Sequence, residues 1–143
     1  MQELIPSTLV ALFKRKGREG NFTKTISGND FLKKALPVHL ESDEVGVIVY
    51  YKSEEEWFLL SNKRIYAHCD FGDVDMGVDE LENVAFALEE ERRVGVRKDK
   101  FSLLKIRGRE DNETLLRLEG GLPFFGVYNV LDFLAGRNRS ADS

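Results

Sequence analysis

His68 and Cys69 are the one adjacent pair in this chain whose side chains could do nucleophilic or acid–base chemistry. They stand in a run that reads as a strand, where neighbours point to opposite faces, so they cannot act together as base and nucleophile. Cys69 shares its face with Ile65 and Ala67 and reads as a small core residue. His39 lies far away in sequence with no assignable partner. Asp70, Asp73, Asp75, Asp79 and Glu80 crowd one turn. A calcium loop needs oxygen ligands in a set register with a glycine at a fixed position, and this spacing does not reproduce it; a solvated turn is the expectation. The Asp70-Phe71-Gly72 triplet has neither a glycine-rich loop nor a catalytic loop to serve. The glycines form no nucleotide-binding pattern, and no serine sits in a nucleophile elbow. The expectation is therefore no catalytic, cofactor-binding or metal-ligating residue. An enzyme would need His68 within hydrogen-bond reach of Asp73 or Asp75 in a deep pocket.

Cations gather in three places: Lys14-Arg15-Lys16 with Arg18, then Arg92-Arg93 with Arg97 and Lys98, then Arg107 with Arg109. The second group is interleaved with Glu89, Glu90 and Glu91 and predicts a solvated hairpin of mixed charge. The first follows an apolar stretch. Leu9, Leu12 and Phe13 beside Lys14, Arg15 and Lys16 could rest on an anionic membrane surface. A helix of about ten residues binds membranes weakly alone, so docking onto its own domain or a sister subunit is the preferred reading. Phe125 and Phe133 fall off the main apolar face of the last helix. Either the amino-terminal helix covers them or they form a self-association surface. Phe13, Lys14, Arg15, Lys16, Phe125 and Phe133 are thus the interaction candidates.

A chain of 143 residues suits one domain, and 42% hydrophobic with 32% charged residues is ordinary for a globular protein. The net charge of −4 argues against broad binding to nucleic acid or anionic lipid. One cysteine can form no internal disulfide, and no apolar run approaches the length of a bilayer crossing, so a cytoplasmic location is the default expectation.

The elements follow from periodicity. Pro6-Ser7 open a helix through Leu9, Val10, Leu12 and Phe13, ended by Lys14 to Gly17. Residues 17–28 read as a polar connector, and a second short helix is predicted from Asn29 to Leu36, halted by Pro37. From Glu44 the period becomes two: Val45 to Tyr51 is a strand apolar on both faces. Trp57 to Leu60 and Ile65 onward are two strands joined by Ser61-Asn62-Lys63. A short strand near Val74 to Val78, a segment from Leu81 through Val84 and Phe86, and a hairpin of Phe101–Ile106 with Thr114–Leu118 complete the β region. Pro123 begins a closing helix whose broad face carries Phe124, Val127, Tyr128, Leu131, Leu134 and Ala135. Gly136 suits its end, and the polar tail from Arg137 is predicted disordered.

Short antiparallel strands in succession, closed by one amphipathic helix, resemble the pleckstrin-homology-like fold, and more narrowly the bacterial pleckstrin-homology domains. Leu60-Ser61-Asn62-Lys63-Arg64-Ile65 is similar to their strand-turn-strand motif, and Val78-Asp79-Glu80-Leu81-Glu82-Asn83-Val84 to their later acidic-hydrophobic segment. The resemblance covers residues 38–136, leaving 1–37 as an amino-terminal helical extension and loop and 137–143 as the tail. It implies a mainly β (α+β by content), partly open barrel of about seven antiparallel strands capped by the carboxyl-terminal helix. It also implies a binding or assembly module without catalytic activity or cofactor. The Lys52-Ser53-Glu54-Glu55-Glu56 loop would repel a phosphorylated lipid head group, so that role is not carried over. The resulting expectation is a non-enzymatic cytoplasmic module that contacts a protein or peptide, or a second copy of itself. A peripheral membrane-binding domain is the alternative.

Overall fold

Two apolar faces on one strand require two layers to cover them, and that requirement organises the molecule. In the computed structural model, which describes residues 4–26, 36–97 and 100–142, the strand in question is β2 (Gly46–Ser53). Its Ile48 and Tyr50 face the main core, and Val49 faces a second cluster with Trp57, Leu59, Tyr66 and Leu36. The alternation of strand side chains makes this division inevitable. Leu36, Val38 and Leu40 cover the outer side, which explains why both sets of residues are apolar.

The first sheet runs β1 (Thr23–Thr25), β2, β3 (Glu56–Ser61), β4 (Arg64–Cys69) and β5 (Gly72–Gly77), each antiparallel to its neighbour. Gly72, at φ +121°, makes the β4–β5 turn in a conformation that side chains rarely adopt. A 3₁₀ turn, Val78–Glu80, leads to the second sheet of β6 (Leu81–Phe86), β7 (Leu103–Gly108) and β8 (Glu113–Arg117), again antiparallel. The architecture is mixed α+β with two antiparallel sheets of five and three strands, and the sheets do not close into a barrel.

Two helices complete the main core. α1 (Pro6–Lys16) has Pro6 in its first turn and Lys14, Arg15 and Lys16 in its last, where the helix dipole favours cations. Between β6 and β7 lies a short α2 (Leu88–Arg93). The closing helix α3 (Leu122–Asp142) packs on β6, the 3₁₀ turn and α1. Phe124, Val127, Val130, Leu131, Leu134 and Ala135 are all buried along it, and Tyr128 is partly so. That is the face the sequence periodicity predicts, widened by Val130.

Three local expectations are corrected. The 17–28 connector contributes the edge strand β1, because its threonines pair with Ile48 to Tyr50. The charged stretch after residue 88 starts as a helix and not a hairpin: Glu91 is buried, and its Oε1 accepts the amides of Ser102 and Leu103 at 3.1 and 2.8 Å. The closing helix does not stop at Gly136. Asn138, 7% exposed, donates to the carbonyls of Val78 and Leu81 at 2.8 and 2.7 Å, and Arg139 donates to that of Glu82. These bonds anchor a polar segment that hydrophobicity alone would leave loose. The helix predicted from Asn29 falls outside the described residues, apart from Leu36, which is buried.

Candidate functional site

The turn that carries the sequence resemblance is wholly engaged in structure. Ser61 Oγ accepts the amides of Lys63 and Arg64 at 3.1 and 2.9 Å and donates to Glu44. Asn62 Oδ1 accepts the Val45 amide at 2.7 Å. Lys63 pairs with Asp43 at 2.6 Å, which raises its pKa, and Arg64 pairs with Asp75 at 2.6 Å, which raises that of the guanidinium. Glu44, 1% exposed, accepts the Tyr66 hydroxyl at 2.8 Å. Burial first, and then this bond to a carboxylate, hold the Tyr66 phenol protonated well above its ordinary range.

On the outer face of the first sheet, Trp57, His68 and Asp73 occupy one cross-strand row, since His68 pairs with Trp57 on one side and Asp73 on the other. Asp73 Oδ1 contacts His68 Nδ1, and the Trp57 ring lies 6.3 Å from the imidazole centroid. The sequence expectation made this contact the condition for an enzyme, together with a deep pocket. The contact is present. The depth is not: the His68 and Asp73 side chains are 40% and 77% exposed. Cys69 lies on the opposite face, buried, with its Sγ against the Leu115 carbonyl.

Asp73 also lines a cleft of about 430 Å³ between the β5 edge and the β7–β8 turn, with Asp75, Glu80, Arg109, Glu110 and Asn112. A second cleft, about 500 Å³, lies among Lys52, Glu55, Glu56, Asp70 and Arg117. Arg117 forks onto Asp70 at 3.0 and 3.1 Å, a charge-assisted pair that holds the Asp70 carboxyl below its usual range. The same guanidinium lies 5.2 Å over the Phe71 ring. A third, about 360 Å³, is bounded by His39, Glu41, Arg64, Tyr66 and Asp75. In each of these three clefts carboxylates outnumber lysines and arginines. Among the described residues, no group of three or more His, Cys, Asp or Glu side chains is placed to hold a metal ion. No described helix is long and apolar enough to cross a membrane.

The interaction candidates separate. Phe13 is fully buried, against Gly126 of α3, while Lys14, Arg15 and Lys16 stay exposed beside it. Phe125 is partly buried, edge-on to Phe86 and Phe124 at 5.9 and 5.3 Å between ring centroids. Phe133 remains 40% exposed. The His68–Asp73 contact, which the sequence raised only as a condition beside Asp75, crosses between strands instead of running along one. The β4–β5 turn residues Asp70 to Gly72 were its available signal: they fold Asp73 back opposite His68.

No protein-family model matches this chain, and no solved structure matches it. Among curated proteins, the phosphopentomutase of Thermotoga maritima is 28% identical over 152 aligned positions, which take in 94% of this chain and 37% of that enzyme. The chain therefore spans well under half the length of this relative. The likeness overturns the expectation of a non-enzymatic binding or assembly module and points toward an enzyme. The membrane-binding alternative falls with it for a structural reason as well. Leu9 and Phe13, which would have to enter the lipid, are 1% and 0% exposed because they pack into the chain's own core.

Proposed function

We propose that this chain is an enzyme-related domain that handles a phosphorylated pentose, with the exposed His68–Asp73 pair at the rim of its sugar-binding cleft. The observation that carries the reading is the similarity to phosphopentomutase along 94% of the chain. The geometry of the pair supports it. A carboxylate on Nδ1 orients the imidazole and leaves Nε2 to hydrogen-bond a sugar hydroxyl at the cleft rim. The adjoining cleft supplies Asp75, Glu80, Arg109, Glu110 and Asn112, a lining suited to the donors and acceptors of sugar hydroxyls. An excess of carboxylate disfavours the phosphate itself there, so the sugar carries the recognition.

Titration of isotope-labelled protein with ribose 5-phosphate, ribose and inorganic phosphate, followed by NMR, tests this. Both sugars should move the resonances of His68, Arg109 and Asn112, and phosphate alone should leave them in place. Absence of any sugar-dependent shift at millimolar concentration would overturn the reading.

The fold belongs to the same proposal. The five- and three-stranded sheets with a carboxyl-terminal helix are read as a pleckstrin-homology-like arrangement. Within residues 38–136, the seven strands β2 to β8, antiparallel and in sequence order within each of the two sheets, support this. An experimental structure in which the sheets pack nearly parallel, and not close to orthogonal, would reject it. The fold assigns no activity by itself.

A further inference from the structure

We infer that residues 6–25 form a single detachable strap, latched at one end by the carboxylate of Glu119 and seated at the other by Phe13. Glu119 stands between β8 and α3, far along the chain from the segment it holds. Its two oxygens accept the amides of Asn21 and Phe22 at 2.8 and 3.1 Å and the Thr23 hydroxyl at 2.7 Å. The fit is close: a Cβ at Gly20 would meet the Glu119 carboxylate, which would then have to shift. A second carboxylate secures the far side of β1, where Glu19 accepts the Thr25 amide and hydroxyl at 2.7 and 3.0 Å. At the other end the Phe13 ring fills the notch left by the missing side chain of Gly126, and Gly17 sits directly on the α3 backbone.

The polar attachments join the strap to itself or to the region from β8 into α3, while Leu9 and Phe13 of α1 lie in the main core and α1 also packs on β2. β1 adds three register pairs to the edge of β2, Thr23 with Tyr50, Lys24 with Val49 and Thr25 with Ile48. β1 is thus the edge strand of its sheet, and on this inference it lifts together with α1. Opening of the strap uncovers the β2 edge, the Gly126 face of α3 and the part of the main core that Leu9 and Phe13 fill, and leaves the β3–β4 and β6–β7–β8 pairings in place. Sub-global opening of such an edge unit is the form that native-state fluctuations take.

The test is amide hydrogen exchange on the full chain carrying Glu119→Gln. Glutamine offers one acceptor where the carboxylate offers two, and its amide group opposes the Phe22 or Asn21 donor. Exchange should accelerate about tenfold or more at residues 10–16 of α1, none of which Glu119 touches, with β3 and β4 unchanged. Acceleration confined to residues 21–23 would reduce Glu119 to a local cap and overturn the strap. A parallel acceleration throughout the chain would overturn it equally. Wild-type protein in dilute denaturant provides the second measurement: α1 and β1 should share one opening free energy, below that of β3 and β4. Different values for α1 and β1, or a value equal to that of the core, would count against the inference.

Discussion

Glu91 illustrates how a single buried carboxylate can organise a region that composition marks as surface. It closes the run Glu89-Glu90-Glu91, yet it alone is buried, accepting two backbone amides at the entry to β7. Replacing it with alanine strands both donors, so Glu91→Ala should cost about 1–3 kcal/mol in chemical denaturation. Glu91→Gln keeps an acceptor and should cost less. The two buried tyrosines make a pH prediction. Tyr50 and Tyr66 are shielded from water and bonded to Glu56 and Glu44, and both phenols stay protonated far above their ordinary range. In the unfolded chain they ionise at the usual value of about 10. The stability they contribute is therefore complete below that pH and is lost as pH rises beyond it. Phenolate absorbance should lag in the native protein and appear together with loss of near-ultraviolet circular dichroism. Asp70 runs the other way: Arg117 depresses its pKa, so its contribution is present above the normal carboxylate range and fades on acidification. It is small, because the Asp70 side chain is 65% exposed.

Among the elements, the closing helix departs furthest from its sequence expectation. Its apolar face from Phe124 to Ala135 was legible from a period of 3.6, since only that spacing buries one side against β6. Its continuation past Gly136 was not. Glycine is a poor helix former, by about 1 kcal/mol, and usually signals an end. Asn138 outweighs it by satisfying the carbonyls of Val78 and Leu81, residues nearly sixty positions away. Asn138→Ala should accordingly destabilise the fold by about 1–3 kcal/mol and raise amide exchange across residues 137–142. The contact of α1 with α3 is a second such case. A Cβ at position 126 would lie 2.7 Å from the Phe13 ring and 3.3 Å from Gly17 Cα. Gly126→Ala gains helix propensity but overpacks this junction, so a net loss of about 1–3 kcal/mol is expected in thermal unfolding. Phe13→Leu in the same background should recover part of it.

For the whole molecule, the two sheets bring together what the chain separates. β4 and β5 place His68 beside Asp73, and the β7–β8 turn closes the cleft along the same edge. His68→Ala should leave the melting temperature nearly unchanged, because the side chain is 40% exposed and the pair is a surface pair. If the proposed function holds, the substitution should nevertheless weaken the binding of ribose 5-phosphate, read by calorimetry. A melting temperature that falls by many degrees would make His68 a structural residue instead.

The antiparallel succession of β2 to β8, the closing helix and the inward sets of alternating residues were determined by the sequence itself, because burial imposes periods of two and 3.6 that a reader can count. Ile65, Ala67 and Cys69 sharing one buried face is a direct instance. Contacts between residues distant along the chain carry no such period. The Asp73 contact with His68 across a hairpin, the hold of Glu119 on residues 21–23 and the hold of Asn138 on the 3₁₀ turn depend on how the sheets and α3 come together. Tertiary structure alone decided these, since a polar side chain shows its partner only when folding brings a complementary group within hydrogen-bond range.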